Sequence, residues 1–185
     1  KYAEGGILPK WELASTETGT MIGYHAVSAI VDAVMKRQVD MEKNQLLEAC
    51  IRSSVYDTTG ITPVMDRQVL HNKMMSPAIK YMNEWGYIPC DRVSGSVSQA
   101  LEFAYNDWLI AMLAKECNRK DVYDLYMERS KAYRYYFDPE TKLMRGRLSD
   151  GSWITPFDPS SVERPSNYVE GNAWQWAWFV PHDVS

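Results

Sequence analysis

One stretch near the end of the chain gathers residue types that can do acid chemistry: Tyr168-Val169-Glu170-Gly171-Asn172-Ala173-Trp174-Gln175-Trp176-Ala177-Trp178-Phe179-Val180-Pro181-His182-Asp183. A single carboxylate, Glu170, stands before a Gly171-Asn172 turn and a run carrying three tryptophans. Asn caps helices, and Gly tolerates unusual dihedrals, so a helix entry is expected there. From Ala173 the apolar residues follow without strict alternation, which predicts a short buried helix. Glu170 then sits at a helix mouth among aromatic rings. Such surroundings desolvate a carboxyl and favour its protonated form, the state a general acid needs. Flat indoles such as Trp174 also suit the faces of a sugar ring. The plain alternative is a first-turn Glu steadied by the helix dipole above an aromatic core, and the residues alone leave it open.

Other candidates are scattered. Trp11 and Glu12 fall on a loop, where binding roles are common; Trp11 is a sugar platform or a core anchor. His25, between Tyr24 and Ala26, reads as a hydrogen-bonded core histidine or a pocket residue. Glu102 and Asp107 share a helix, with ion pairing or solvation as the default for both. His182 and Asp183 read as hydrogen-bonding neighbours. With three histidines and no His-x-x-x-His spacing, a transition-metal site is not expected. Arg145 and Arg147 read as ion pairs that pin a loop.

The elements that must position these residues are helical. A first helix is predicted from about Thr20 to Arg37, a second from about Met41 to Val55 with Asp40 as its cap. A third starts at Ser76-Pro77 and stops at Gly86. The fourth is the clearest: Ser96-x-x-Gln99 has the form of a capping box. Behind it Val97, Leu101, Ala104, Trp108, Ala111, Met112 and Lys115 mark one face up to about Cys117. A fifth follows Asp121 and ends before Asp138-Pro139, and the terminal run is the sixth. The stretch from Ile61 to Lys73 is ambiguous. Residues 137–165 are turn-rich and long for a structureless connection, as functional loops are. Strand signal is almost absent. The fold class is therefore all-α, stacked αα-hairpins with loops gathered at one end.

The chain has 185 residues and a formal net charge of −4, so one domain with a sizeable core is possible and a basic footprint for nucleic acid is missing. No apolar run has the length of a membrane span. Seven Trp, twelve Tyr and ten Met are unusual, and much of that must be core. Cys50, Cys90 and Cys117 are odd in number and far apart, which predicts free thiols rather than a disulfide framework or metal site. A tryptophan-rich helix two residues from the last residue expects further neighbours, so the natural protein is expected to continue. Exposed apolar surface and self-association are expected of such a piece.

The motifs Gly6-Ile7-Leu8-Pro9-Lys10-Trp11-Glu12-Leu13, Gly19-Thr20-Met21-Ile22-Gly23-Tyr24-His25-Ala26 and Ser96-Val97-Ser98-Gln99-Ala100-Leu101-Glu102-Phe103-Ala104-Tyr105-Asn106-Asp107-Trp108 occur in order. Phe137-Asp138-Pro139, Met144-Arg145-Gly146-Arg147, Tyr168-Val169-Glu170-Gly171-Asn172-Ala173-Trp174-Gln175 and Trp178-Phe179-Val180-Pro181-His182-Asp183 follow. Over nearly the whole chain they resemble the catalytic domain of glycoside hydrolase family 92, calcium-dependent exo-acting α-mannosidases of bacteria. The resemblance implies residues 1–185 are the middle of an (α/α)6 barrel, without the family's N-terminal β-sandwich and the last barrel helices. It implies an inverting reaction on the terminal mannose of a glycan, in the periplasm or outside the cell. It places the general acid on Glu170 and suggests Trp11, Glu12, His25 and Trp174 as substrate-binding residues. The family's base, an Asp in a Gly-Asn/Asp-x-Asp-x-Gly motif, has no counterpart here, and the calcium ligands are expected outside the chain. A non-catalytic helical carbohydrate-binding or scaffold module is the alternative.

Overall fold

The computed structural model describes residues 2–14, 16–61, 70 and 74–184. Most of the ambiguous stretch from Ile61 to Lys73 lies outside them. The described elements are α1 (Tyr2–Gly5), β1 (Glu12–Leu13), β2 (Thr16–Glu17), α2 (Ala26–Met35), α3 (Lys43–Ser54), α4 (Pro77–Trp85), α5 (Ser96–Glu116), α6 (Lys120–Arg129), β3 (Phe137–Asp138), β4 (Leu143–Met144) and α7 (Ala173–Trp176). A 3-10 turn over Ser130–Tyr135 prolongs α6. The fold is mostly helical, as expected. Two small antiparallel hairpins, β1 with β2 and β3 with β4, were not legible because each strand has two residues.

The central element is α5. It contains neither Gly nor Pro, and 14 of its 21 residues are buried, so it is a core helix rather than an amphipathic one. Val97, Leu101, Ala104 and Ala111 are buried as predicted, but Phe103, Ile110, Leu113 and Ala114 bury its other sides, and Lys115 is exposed. Helices α2, α3, α4 and α6 pack around it. Helix α4 behaves as its sequence predicts: Pro77 opens it, and Gly86 closes it in the left-handed region at φ 74°.

Three predicted boundaries move. Helix α2 begins at Ala26 rather than Thr20, because Gly23 turns the chain at φ 77° and aims the Tyr24 N–H at Asn106 Oδ1, 2.8 Å away. Helix α3 is capped by Glu42 rather than Asp40. At α5 the predicted capping box does not form. Gly95 holds the cap position, and the Val97 and Ser98 N–H groups donate to the Asn167 carbonyl at 3.1 and 3.4 Å. A loop seventy residues downstream thus supplies what a local side chain was expected to supply.

The helices are tied at one buried point. Asp107 Oδ2 accepts from Arg129 Nε at 2.8 Å, and its Oδ1 accepts from Arg129 Nη2 at 3.2 Å and from the Tyr24 hydroxyl at 2.5 Å. Arg129 Nη2 also donates to the Ser54 carbonyl at 3.2 Å, at the end of α3. Asp107 is 1% exposed, so removing its partner strands a charge in the core. Arg129→Ala is expected to lower the unfolding free energy by about 3–5 kcal/mol in urea titration. A loss below about 1 kcal/mol, the size of an exposed pair, would show that the cluster does not hold the helices.

Candidate active site

The loop carrying Glu170 is built onto the N-terminus of α5. The Gly95 N–H donates to the Ser166 carbonyl at 2.7 Å, and the Val169 N–H donates to Ser98 Oγ at 2.9 Å. A side chain at Gly95 would meet Val169 Cγ2 at 2.7 Å, so only glycine allows this approach. On the far side of Glu170, Asn172 and Gln175 form a true capping box: Gln175 N–H to Asn172 Oδ1 at 3.3 Å and Asn172 N–H to Gln175 Oε1 at 3.0 Å. Between these clamps Glu170 adopts φ 52°. A non-glycine residue there costs on the order of 1–3 kcal/mol and is often found where a side chain must be aimed.

Upstream, the loop is pinned by arginines. Arg145 pairs with buried Asp138 at 3.0 Å and donates to the Ile154 carbonyl, as expected of an ion-pairing anchor. Arg147 instead donates to the Tyr135 and Gly151 carbonyls and lies over the Trp153 ring at 3.8 Å. His182 meets the Ser130 carbonyl at 2.9 Å, and Asp183 pairs with Tyr133 and Arg134.

Glu170 lines an open cavity of about 330 Å³ with Thr20, Met21, Ile22, Glu102, Val169, Gln175, Trp176 and Phe179. The ring beside the carboxylate is therefore Trp176, not Trp174, which is 55% exposed outside the cavity. Trp176 donates its Nε1–H to the Val169 carbonyl at 3.0 Å and packs on Phe179 at 5.3 Å between ring centres. Helix α7 has a single turn, and Trp178 is 88% exposed, so the buried terminal helix expected from composition does not form. Trp176 alone of the three packs against the core, while Trp174 and Trp178 stay exposed.

A second cavity, about 470 Å³, is lined by Pro9, Lys10, Trp11, Glu12, Met21, His25 and Ala26. Met21 borders both. Here the structure brings Trp11, Glu12 and His25 together. Buried Glu17 shapes the loop, accepting from the N–H groups of Lys10, Trp11 and Gly19 at 2.7, 3.0 and 2.7 Å.

The desolvated carboxyl expected at Glu170 is found at Glu102. Glu170 is exposed, whereas the Glu102 side chain is 12% exposed, and burial pushes its pKa up to about 7. Its partner is His25 Nδ1 at 3.8 Å, whose ring is held below the usual imidazole range by burial and by Lys10. The sequence predicts an ion-paired or solvated role for Glu102; it faces His25, but its burial follows from the packing of α5, which residue type alone does not show.

The chain matches the glycosyl hydrolase family 92 catalytic domain over residues 1–185. It is similar to a family GH92 inverting mannosidase from Bacteroides thetaiotaomicron, with a TM-score of 0.84 and 31% identity, covering 98% of this chain and 23% of that one. A family GH92 alpha-mannosidase from the same organism superposes with a TM-score of 0.78 at 36% identity, covering 96% of this chain and 21% of that one. Its complex with mannoimidazole gives 0.79 at 34%, covering 97% and 22%. An uncharacterized secreted glycosidase from Arthroderma benhamiae is 23% identical over 208 residues, covering 100% of this chain and 26% of its own length. The chain thus spans about a quarter or less of the relatives it matches.

Glu102 makes the site sensitive to pH. In the folded chain its carboxyl keeps its proton up to about pH 7, whereas unfolded it loses it near 4.5. Across that window the unfolded state binds fewer protons, so stability falls as pH rises. Relative to Glu102→Gln, wild type is expected to lose about 2–3 kcal/mol between pH 4.5 and 7.5. Parallel denaturation curves at both pH values measure this; no difference between the two proteins would refute the burial argument.

Proposed function

The chain belongs to glycoside hydrolase family 92, and from that premise we propose that it forms part of the active site of an inverting exo-α-mannosidase acting on terminal α-linked mannose of glycans. The observation that carries the reading is Glu170: a carboxyl held in a strained left-handed turn, between two clamps, at a cavity floored by Trp176 and Phe179. In this reading Glu170 donates its proton to the leaving glycosidic oxygen. An inverting reaction needs a second carboxyl about 6.5–9.5 Å away, with a water between, to deprotonate the attacking nucleophile. That base belongs to a longer polypeptide. The inverting relative and the mannoimidazole complex support this choice of substrate and stereochemistry.

Trp11, Glu12 and His25 line the neighbouring cavity and serve as substrate contacts, with Trp11 offering half its surface as a platform. Trp174, exposed beside the site, serves as an outer contact. In this reading the calcium takes its ligands from the longer polypeptide, and no step above uses it.

We further read the helices as the middle of an (α/α)6 barrel. Exposed Trp174 and Trp178, and an open apolar cavity of about 770 Å³ between Tyr2, Leu8, Ile30, Met41 and Leu46, support a cover supplied by the rest of a longer polypeptide or, in its absence, by self-association. No described helix is long and apolar enough to cross a membrane, and the secreted fungal relative supports a secreted or periplasmic setting.

In the full polypeptide carrying these residues, Glu170→Gln is expected to lower kcat on an α-mannobioside by at least about 100-fold while KM changes little. The 185-residue chain alone is expected to release no mannose from the same disaccharide. Near-normal turnover by the Gln variant would remove Glu170 from the acid role.

A further inference from the structure

We propose that Glu102 and His25 together hold one hydroxyl of the bound sugar, at the junction of the Glu170 cavity and the Trp11 cavity. The inference rests on reading those cavities as the sugar site.

Among the described residues the other buried carboxylates are satisfied internally. Glu17 accepts from three backbone N–H groups, Asp107 from Arg129 and Tyr24, and Asp138 from Arg145, the Glu140 N–H and Thr141 Oγ1. Glu102 differs. Its side chain is 12% exposed, and its charged partner is His25 Nδ1 at 3.8 Å. That separation is too long for a hydrogen bond. It is short enough for one oxygen, about 2.8 Å from each atom, to sit between them.

A hydroxyl matches this pair in either protonation state. It donates to the Glu102 carboxylate while accepting from Nδ1–H, or it accepts from the protonated carboxyl while donating to a bare Nδ1. The imidazole is held in place for the task. A side chain on Gly23 would meet His25 Cε1 at 2.8 Å and Nε2 at 3.0 Å, so the ring lies directly on bare backbone. Around Glu102 the lining is largely apolar, with Met21, Ile22, Val169, Trp176 and Phe179, which suits the carbon face of a pyranose more than free solvent. Met21 borders both cavities, so a ring contacting the pair also lies within reach of Glu170's cavity.

The test uses the full polypeptide, with Glu102→Ala, Glu102→Gln, His25→Ala, the His25→Ala/Glu102→Ala double variant and Glu170→Gln. The probes are an α-mannobioside, its monodeoxy analogues on the terminal mannose, and mannoimidazole. Glu102→Ala is expected to raise KM and the mannoimidazole Kd about 10- to 100-fold, with kcat changed much less. Glu102→Gln, close in shape and keeping an acceptor oxygen, is expected to lose several-fold less and carries the test should the Ala variant not fold. The double variant is expected to bind within about 3-fold of the weaker single variant, because both groups serve one hydroxyl. One monodeoxy substrate is expected to be handled equally by wild type and Glu102→Ala. Unchanged KM and Kd in both Glu102 variants, with Glu170→Gln inactive, would overturn this inference alone. An active Glu170→Gln would overturn the reading of the site beneath it.

Discussion

A single buried charge pair sets the arrangement of the helices. Asp107 lies in the middle of α5, Arg129 at the end of α6, Tyr24 just before α2, and Ser54 at the end of α3. Apolar contacts around α5, with Phe103, Tyr126 and Tyr136 among the largest, hold these helices together but carry little directionality of their own. A guanidinium that must meet both oxygens of one carboxylate does not slide. The pair fixes relative position more than it adds net stability, because desolvating both ions offsets much of their attraction. The same cluster controls the site. Tyr24 lies between Gly23 and His25, so anchoring its hydroxyl on Asp107 and its N–H on Asn106 places the His25 ring.

The second constraint is the exchange at the N-terminus of α5. A helix leaves its first N–H groups without partners, and here the carbonyls of Ser166 and Asn167 take them. The loop gains partners for carbonyls that would otherwise face a buried helix end, and the helix gains its cap. The chemical consequence is that Val169 and Glu170 are referenced to the long buried helix α5 rather than to a free loop. Asp138, Arg145 and Arg147 extend that control along the stretch from β3 to Ile154, so that eighteen residues whose only regular structure is a small hairpin are tied down along their length.

Legibility followed the range of the interaction. Helix α4 could be read because its start and stop signals, Pro77 and Gly86, act within one turn. The interior of α5 was visible in its unbroken apolar content, and the ion pairing of Asp107 and Arg145 in their residue types. The cap of α5 was not, since Ser96 and Gln99 carry the right letters while the partner that displaces them lies seventy residues away. The start of α2 was misplaced for a similar reason: the turn at Gly23 is stabilised by Asn106, on another helix. At the site, Glu170 was conspicuous through its turn and its indoles, but local sequence could not show which tryptophan faces it. Position 176 rather than 174 follows from the Asn172–Gln175 capping box, which fixes the phase of α7.

Burial separates the two carboxyls of the cavity. Glu170 is exposed, its direction set by backbone rather than by packing, which suits the proton donor proposed above. Glu102 lies deeper, on a rigid helix, where placing a carboxyl without a hydrogen-bond donor destabilises the fold. A chain optimised for stability alone would put an apolar residue at that position, since the surrounding α5 positions Leu101, Phe103 and Ala104 are all buried and apolar. Natural sequences keep such locally unfavourable residues mainly where a ligand completes the missing interaction. With the imidazole 3.8 Å away and its ring also bonded to the Ile22 backbone, the hydroxyl proposed between the pair is an oxygen that can both give and take a hydrogen bond.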